Sequence, residues 1–185
     1  MKNLRIKLLL PVLLIGIAWG QEIVDQYLMS GNFQLYVSPG GPWWGVVTAP
    51  FSHSGWGHII ANTVAFLPLS YLVLTNGVSH YLAVWVCVIL SNFFVLFFWH
   101  RGYHGMSSFV YGLVGYLFTI GLVERRFIAI ALTIFSAITY GYYLPTLMPG
   151  TAPEHVSWIA HFGGFFAGII AALGMFREEK DSTQE

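Results

Sequence analysis

Residues 105–123 read GMSSFVYGLVGYLFTIGLV, a short polar turn that passes directly into an uncharged, apolar stretch beginning at Phe109. A helix needs roughly 17–25 apolar residues to cross a bilayer, and the run from Ser107 to Val123 reaches the lower end of that range. A hydroxyl at the mouth of such a segment is costly in lipid unless it faces the interior of a helix bundle. Ser107 therefore marks both a membrane span and a candidate site.

Five further apolar runs flank this one: Leu8–Tyr27, Gly57–Leu74, Tyr81–Trp99, Phe127–Met148 and Val156–Phe176. The 185-residue chain is 56% hydrophobic and only 9% charged, where a soluble domain carries about 25% charged residues. The expected fold is all-α, a polytopic membrane protein of six spans forming one domain over residues 1–185. Glu22 and Asp25 are expected to interrupt the first span. No soluble second domain, low-complexity linker or internal repeat is evident. The longest connection, residues 30–56, is rich in Gly, Pro and Trp, and a loop of that length is usually functional. Trp43, Trp44 and Trp56 suit the headgroup interface.

Charge orients the bundle. With alternating spans, Lys2, Arg5, Lys7, Arg125, Arg126, Arg177 and Lys180 fall on one side and Arg101 alone on the other. The positive-inside rule then makes residues 1–7 a cytoplasmic N-terminus and 177–185 a cytoplasmic tail. Residues 2–19 also resemble a signal peptide, with Ala18-Trp19-Gly20 as a cleavage site, but a retained helix accounts better for the charge pattern. A formal net charge of zero without a basic stripe argues against a nucleic-acid partner. Cys87 lies mid-span, so no disulfide framework is expected, and its default role is apolar packing.

The second, fourth and sixth spans run in the same direction. His58 and Asn62 open the second, Ser107 opens the fourth, and His161 lies near the start of the sixth. At roughly 1.5 Å per residue, all four sit within about 10 Å of the outer boundary. Gly164 and Gly168 follow His161 on one helical face, while Tyr111, Gly112 and Gly115 follow Ser107. Small residues at this spacing let helices approach closely in lipid, which would bring the Ser107 hydroxyl to the His161 ring.

The residue types point to hydrolysis. Serine needs a base such as histidine within hydrogen-bond reach, and the developing oxyanion needs preorganised donors. Ser107 at a helix start has free backbone N–H groups beside it. Asn62, one turn after His58, presents an amide on the face of that imidazole. No carboxylate is expected deep in a span, so a Ser107–His161 dyad is the economical reading, with Tyr111 supporting the His161 ring. Two buried aspartates, as an aspartyl protease requires, are missing, and so is a His-Glu-x-x-His motif. His53, His58 and His161 lack a carboxylate or thiolate partner, so neither metal nor cofactor is expected.

The segments His53-Ser54-Gly55-Trp56-Gly57-His58-Ile59-Ile60-Ala61-Asn62, Gly105-Met106-Ser107-Ser108 with Tyr111, and Ala160-His161-Phe162-Gly163-Gly164 with Gly168 together resemble the rhomboid intramembrane serine proteases. The resemblance spans the second to sixth segments in the family's order. It implies a six-helix bundle with Ser107 as nucleophile, His161 as general base, and His58 with Asn62 stabilising the oxyanion. Gly105 falls at the family's Gly-x-Ser position. It further implies a water-filled cavity open to the outside, and single-pass membrane proteins as substrates, cut in or near their transmembrane segment after a small side chain. His53 and Ser54 would line the water path.

Two positions depart from the family's pattern. Ser108 stands where a glycine commonly follows the nucleophile, and Gly45 follows Trp44 where an arginine is usual. The first bears on the oxyanion hole and pocket, the second on the conformation of the outer loop. The expected protein is thus a rhomboid-like serine protease of a bacterial inner membrane. A rhomboid-fold protein that binds membrane clients without cutting them is the first alternative. A small-solute transporter or channel is the second; it would show broken helices or a polar pore through the whole membrane depth, whereas the polar groups here are expected to stop in the outer half.

Overall fold

The computed structural model describes residues 2–98, 102–151 and 157–182. Within them, six helices are long and apolar enough to cross a membrane. They belong to α1 (Lys2–Leu28), α3 (Trp56–Asn76), α4 (Val78–Phe98), α5 (Ser107–Glu124), α6 (Phe127–Tyr140, continued as a 3-10 helix Gly141–Leu147) and α7 (Trp158–Ser182). A short helix α2 (Gly45–Thr48) and a 3-10 turn, Ala49–Phe51, lie in the loop after α1. The expected ends Trp99 and Val156, the outer cation Arg101 and tail residues 183–185 lie outside the described residues.

The apolar runs become helices because a backbone in lipid must satisfy its hydrogen bonds internally. Their ends follow local chemistry. Gly55 (φ 117°) and Gly77 (φ 136°) flank α3 in conformations that favour glycine. Pro145 lies in the tighter 3-10 continuation of α6. The bundle core contains Phe66, Leu69, Tyr81, Val84, Phe109, Leu113, Tyr116 and Leu117. Of the six spans α5 is the most buried and α6 the least. The outer surface of α6 carries Phe127, Ile128, Ile134 and Ile138, all exposed, as expected of side chains that face lipid.

Glycines decide how closely α5 meets α7. A methyl group on Gly164 would overlap the Ser108 carbonyl, one on Gly168 the Gly112 carbonyl, and one on Gly115 the Phe165 carbonyl. The two backbones touch because all three side chains are hydrogen.

Three expectations are corrected. Glu22 and Asp25 do not interrupt the first span: α1 continues to Leu28, and both carboxylates are fully buried. One oxygen of Asp25 accepts the Phe33 N–H at 2.5 Å, so the carboxylate helps to hold the loop that follows. Trp56 belongs to α3 rather than to the loop, where it packs on Trp19 and Tyr27 at centroid distances of 6.1 and 6.0 Å. Polar groups are not confined to the outer half either. His80, in the first turn of α4, is buried with its Nδ1 2.7 Å from the Tyr116 hydroxyl. This pair does not line the cavity described below.

Candidate active site

Ser107 is the first residue of α5, His58 the third of α3 and His161 the fourth of α7. Helices running in the same direction thus place the three side chains at one end of the bundle. The Ser107 Oγ lies 3.0 Å from Nε2 of His161, within the reach a base needs to take a hydroxyl proton. Tyr111, one turn after Ser107, stacks on the His161 ring with centroids 4.1 Å apart and 22° between planes. Its hydroxyl contacts Thr146 Oγ1 in the 3-10 segment after α6. The imidazole is held by a flat aromatic neighbour that is itself anchored.

His58 is oriented from Ser54. The Ser54 backbone N–H donates to Nδ1 of His58 at 3.4 Å, with the Ser54 hydroxyl 3.1 Å from the same nitrogen. A backbone N–H is only a donor, so Nδ1 carries the lone pair and Nε2 the proton. Asn62 is buried and donates through Nδ2 to the His58 carbonyl at 3.0 Å. A carboxamide NH2 has two protons, which leaves a second donor.

The segment before Ser107 is clamped. The Gly105 N–H donates to the Ala49 carbonyl at 2.9 Å. Gly105 has φ 100°, and a Cβ there would stand 2.7 Å from Cε1 of His58. Glycine is required both for the backbone conformation and for the place the His58 ring occupies.

These groups share a cavity of about 690 Å³ lined by Ser107, His161, His58, Asn62, Tyr111 and Ser54, among others. His53, expected to line the water path, is instead fully buried and outside that lining. Its Nε2 accepts a long 3.5 Å contact from the Met106 N–H. Burial, and then the neighbouring His58 and His104 imidazoles, lower its pKa to about 3. It acts as a neutral strut between the loop and the turn before Ser107.

Both departures from the family's pattern have a structural account. The Ser108 side chain is buried, 3.4 Å from Nδ2 of Asn92 on α4, and does not line the cavity. Gly45 opens α2, where a Cβ would overlap the Tyr36 carbonyl. The loop is built around a glycine there, and a long side chain has no room.

His104 was missed by the sequence reading. It lines the cavity and stacks on Tyr36, with centroids 4.6 Å apart. Its position three residues before Ser107 was a visible signal, but the side from which it approaches was not.

The Rhomboid domain family model matches residues 40–178. The chain is 31% identical over 148 residues to an uncharacterized protein of Mycobacterium tuberculosis, and equally to one of Mycobacterium bovis; each match covers 74% of this chain and 61% of the relative. It is 30% identical over 150 residues to an uncharacterized protein of Mycobacterium leprae, covering 74% of this chain and 58% of that one. The matches thus span about three fifths of the length of these relatives. No solved structure matches the chain.

Proposed function

The chain belongs to the rhomboid family, and on that premise we propose that it is an intramembrane serine protease acting through a Ser107–His161 dyad. The observation that carries this reading is the 3.0 Å approach of Ser107 Oγ to His161 Nε2 inside a cavity. Ser107 Oγ attacks the scissile carbonyl carbon while its proton passes to Nε2 of His161. The oxyanion meets the free N–H groups in the first turn of α5, the Nε2–H of His58 and the second amide proton of Asn62. The intermediate collapses as His161 returns the proton to the leaving amine, which departs and leaves an ester on Ser107. Water then attacks the ester. His161 takes a proton from that water and passes it to Ser107 as the acid product is released.

Substrates are single-pass membrane proteins cut in or near their transmembrane segment. The protein is a multi-pass integral membrane protein, consistent with its six apolar helices. We place it in a bacterial inner membrane with both termini cytoplasmic and the cavity facing outward, as the distribution of Lys and Arg supports.

The test is cleavage of a model single-pass substrate by the protein in detergent, with fluorophosphonate labelling alongside. Wild type is expected to cut and to label, while Ser107→Ala and His161→Ala do neither. A folded wild type that does neither indicates a client-binding protein. Activity in Ser107→Ala equal to wild type would remove the dyad.

A further inference from the structure

The cavity carries a polar feature that the reaction above does not use. His104 is fixed from both neighbours. Tyr103 pairs with Val37 through antiparallel N–H···O bonds of 2.9 and 3.0 Å, and Gly105 is tied to Ala49. Its ring lies on Tyr36 with 18° between planes, and Tyr36 is hydrogen-bonded to Gln34, which also lines the cavity. A ring held by its backbone and one face is preorganised for a ligand.

The Nδ1 of His104 is shut off from solvent with no hydrogen-bond partner. A buried orphan N–H is tolerated less well than an orphan lone pair, so the proton belongs on Nε2 and the ring offers an N–H donor. Burial and the nearby His58 imidazole, opposed by the charge of Asp25, lower its pKa to about 4. At neutral pH the donor is therefore an uncharged imidazole. With the Asp25 carboxylate close by, an acidic side chain is not favoured, and a neutral acceptor is.

We propose that His104 is a specificity-determining residue, whose Nε2–H donates a hydrogen bond to a hydroxyl side chain flanking the scissile bond of the substrate. This rests on the proteolytic reading above. A site built to hydrogen-bond a side chain discriminates against an isostere lacking the polar group, because its own donor is left unpaired.

The test uses a single-pass reporter substrate in which each position of the outer half of the transmembrane segment carries Thr or, in turn, the isosteric Val. Cleavage by wild type is compared with His104→Phe, which keeps a ring against Tyr36 but lacks the N–H, and with His104→Gln, which restores a donor. At one position wild type is expected to prefer Thr in kcat/KM by about tenfold or more. His104→Phe brings that ratio to near unity, and His104→Gln recovers part of it. Absence of any Thr preference in wild type overturns the proposal, as does a His104→Phe variant that slows both substrates equally. Binding of the same reporters to Ser107→Ala, which needs no cleavage, separates the two readings. If wild type cuts nothing but binding favours Thr through His104, the subsite stands and the proteolytic reading falls. If wild type cuts with no preference in either assay, the reverse holds. Thermal unfolding of each variant confirms that it is folded, and His104→Leu repeats the comparison should His104→Phe not fold.

Discussion

The Tyr111 ring lies nearly flat on the His161 imidazole, centroids 4.1 Å apart, while the Tyr111 hydroxyl contacts Thr146 beyond α6. The ring face and the hydroxyl therefore do separate work. Tyr111→Phe keeps the stack and loses the anchor, so kcat should fall by only a few-fold. Tyr111→Ala removes both and frees the base, and kcat should fall by about 10²-fold or more, as small misplacements of a catalytic group do. Steady-state kinetics on one reporter substrate checks the order, and equal losses in the two variants would contradict it.

Gly164 and the Ser108 carbonyl meet with no room for a Cβ. Gly164→Ala must push α7 away from α5 and with it His161 from Ser107. A stability loss of about 1–3 kcal/mol is expected from overpacking, together with a drop in kcat. Thermal unfolding in detergent and turnover measured on the same preparation read both effects. Gly174 on the same helix has open space around it, so Gly174→Ala should bring neither loss, and the better helix propensity of alanine should if anything raise stability slightly.

Ser108 directs its hydroxyl to Asn92 rather than into the cavity. Ser108→Gly should therefore leave kcat within about twofold while costing about 1 kcal/mol of stability for the lost buried hydrogen bond. A large change in kcat would show that Ser108 acts on the nucleophile after all.

Asn62 spends one amide proton on the His58 carbonyl and keeps one. Asn62→Ala should lower kcat by roughly 10²–10³, as loss of an oxyanion donor does elsewhere, with little change in KM. Unchanged turnover would reassign Asn62 to helix packing.

His53 and His104 are held neutral in the fold, with pKa values lowered by burial and by neighbouring imidazoles to about 3 and about 4. In the unfolded chain both titrate near about 6.5. Below that pH the unfolded state binds protons that the native state refuses, so stability falls as pH drops from about 6.5 to 4 and, for His53, on towards 3. Unfolding temperature followed across this range should decline towards acid, and His53→Gln should flatten the slope. An unfolding temperature independent of pH in this window would contradict the burial of both rings as neutral groups.

Much of the architecture was readable from one dimension because lipid imposes a local rule. An apolar run of sufficient length must satisfy its own backbone hydrogen bonds, so Phe127–Met148 and its five counterparts could be placed from composition alone. Spacing within single helices likewise put Asn62 one turn from His58, Tyr111 one turn from Ser107, and Gly164 and Gly168 on one face. Glu22 and Asp25 were misread for a related reason. A charge in an apolar run signals an interruption unless a fold buries it, and the loop that does so lies elsewhere in the chain.

The amino-acid sequence by itself determined the spans, the shared direction of α3, α5 and α7, and which residues are candidates for hydrolysis. Only the tertiary structure decided the register between helices. It turns Ser108 toward Asn92 and away from the cavity, buries His53 as a strut, and brings His104 from the clamped segment 102–105 onto Tyr36. These outcomes depend on contacts between residues distant in sequence, such as Gly168 against Gly112 and Val37 against Tyr103. Local periodicity carries no information about which face of one helix meets which face of another. Ser107 opens a span because of its neighbours in the chain, and it meets His161 because glycine lets two helices touch.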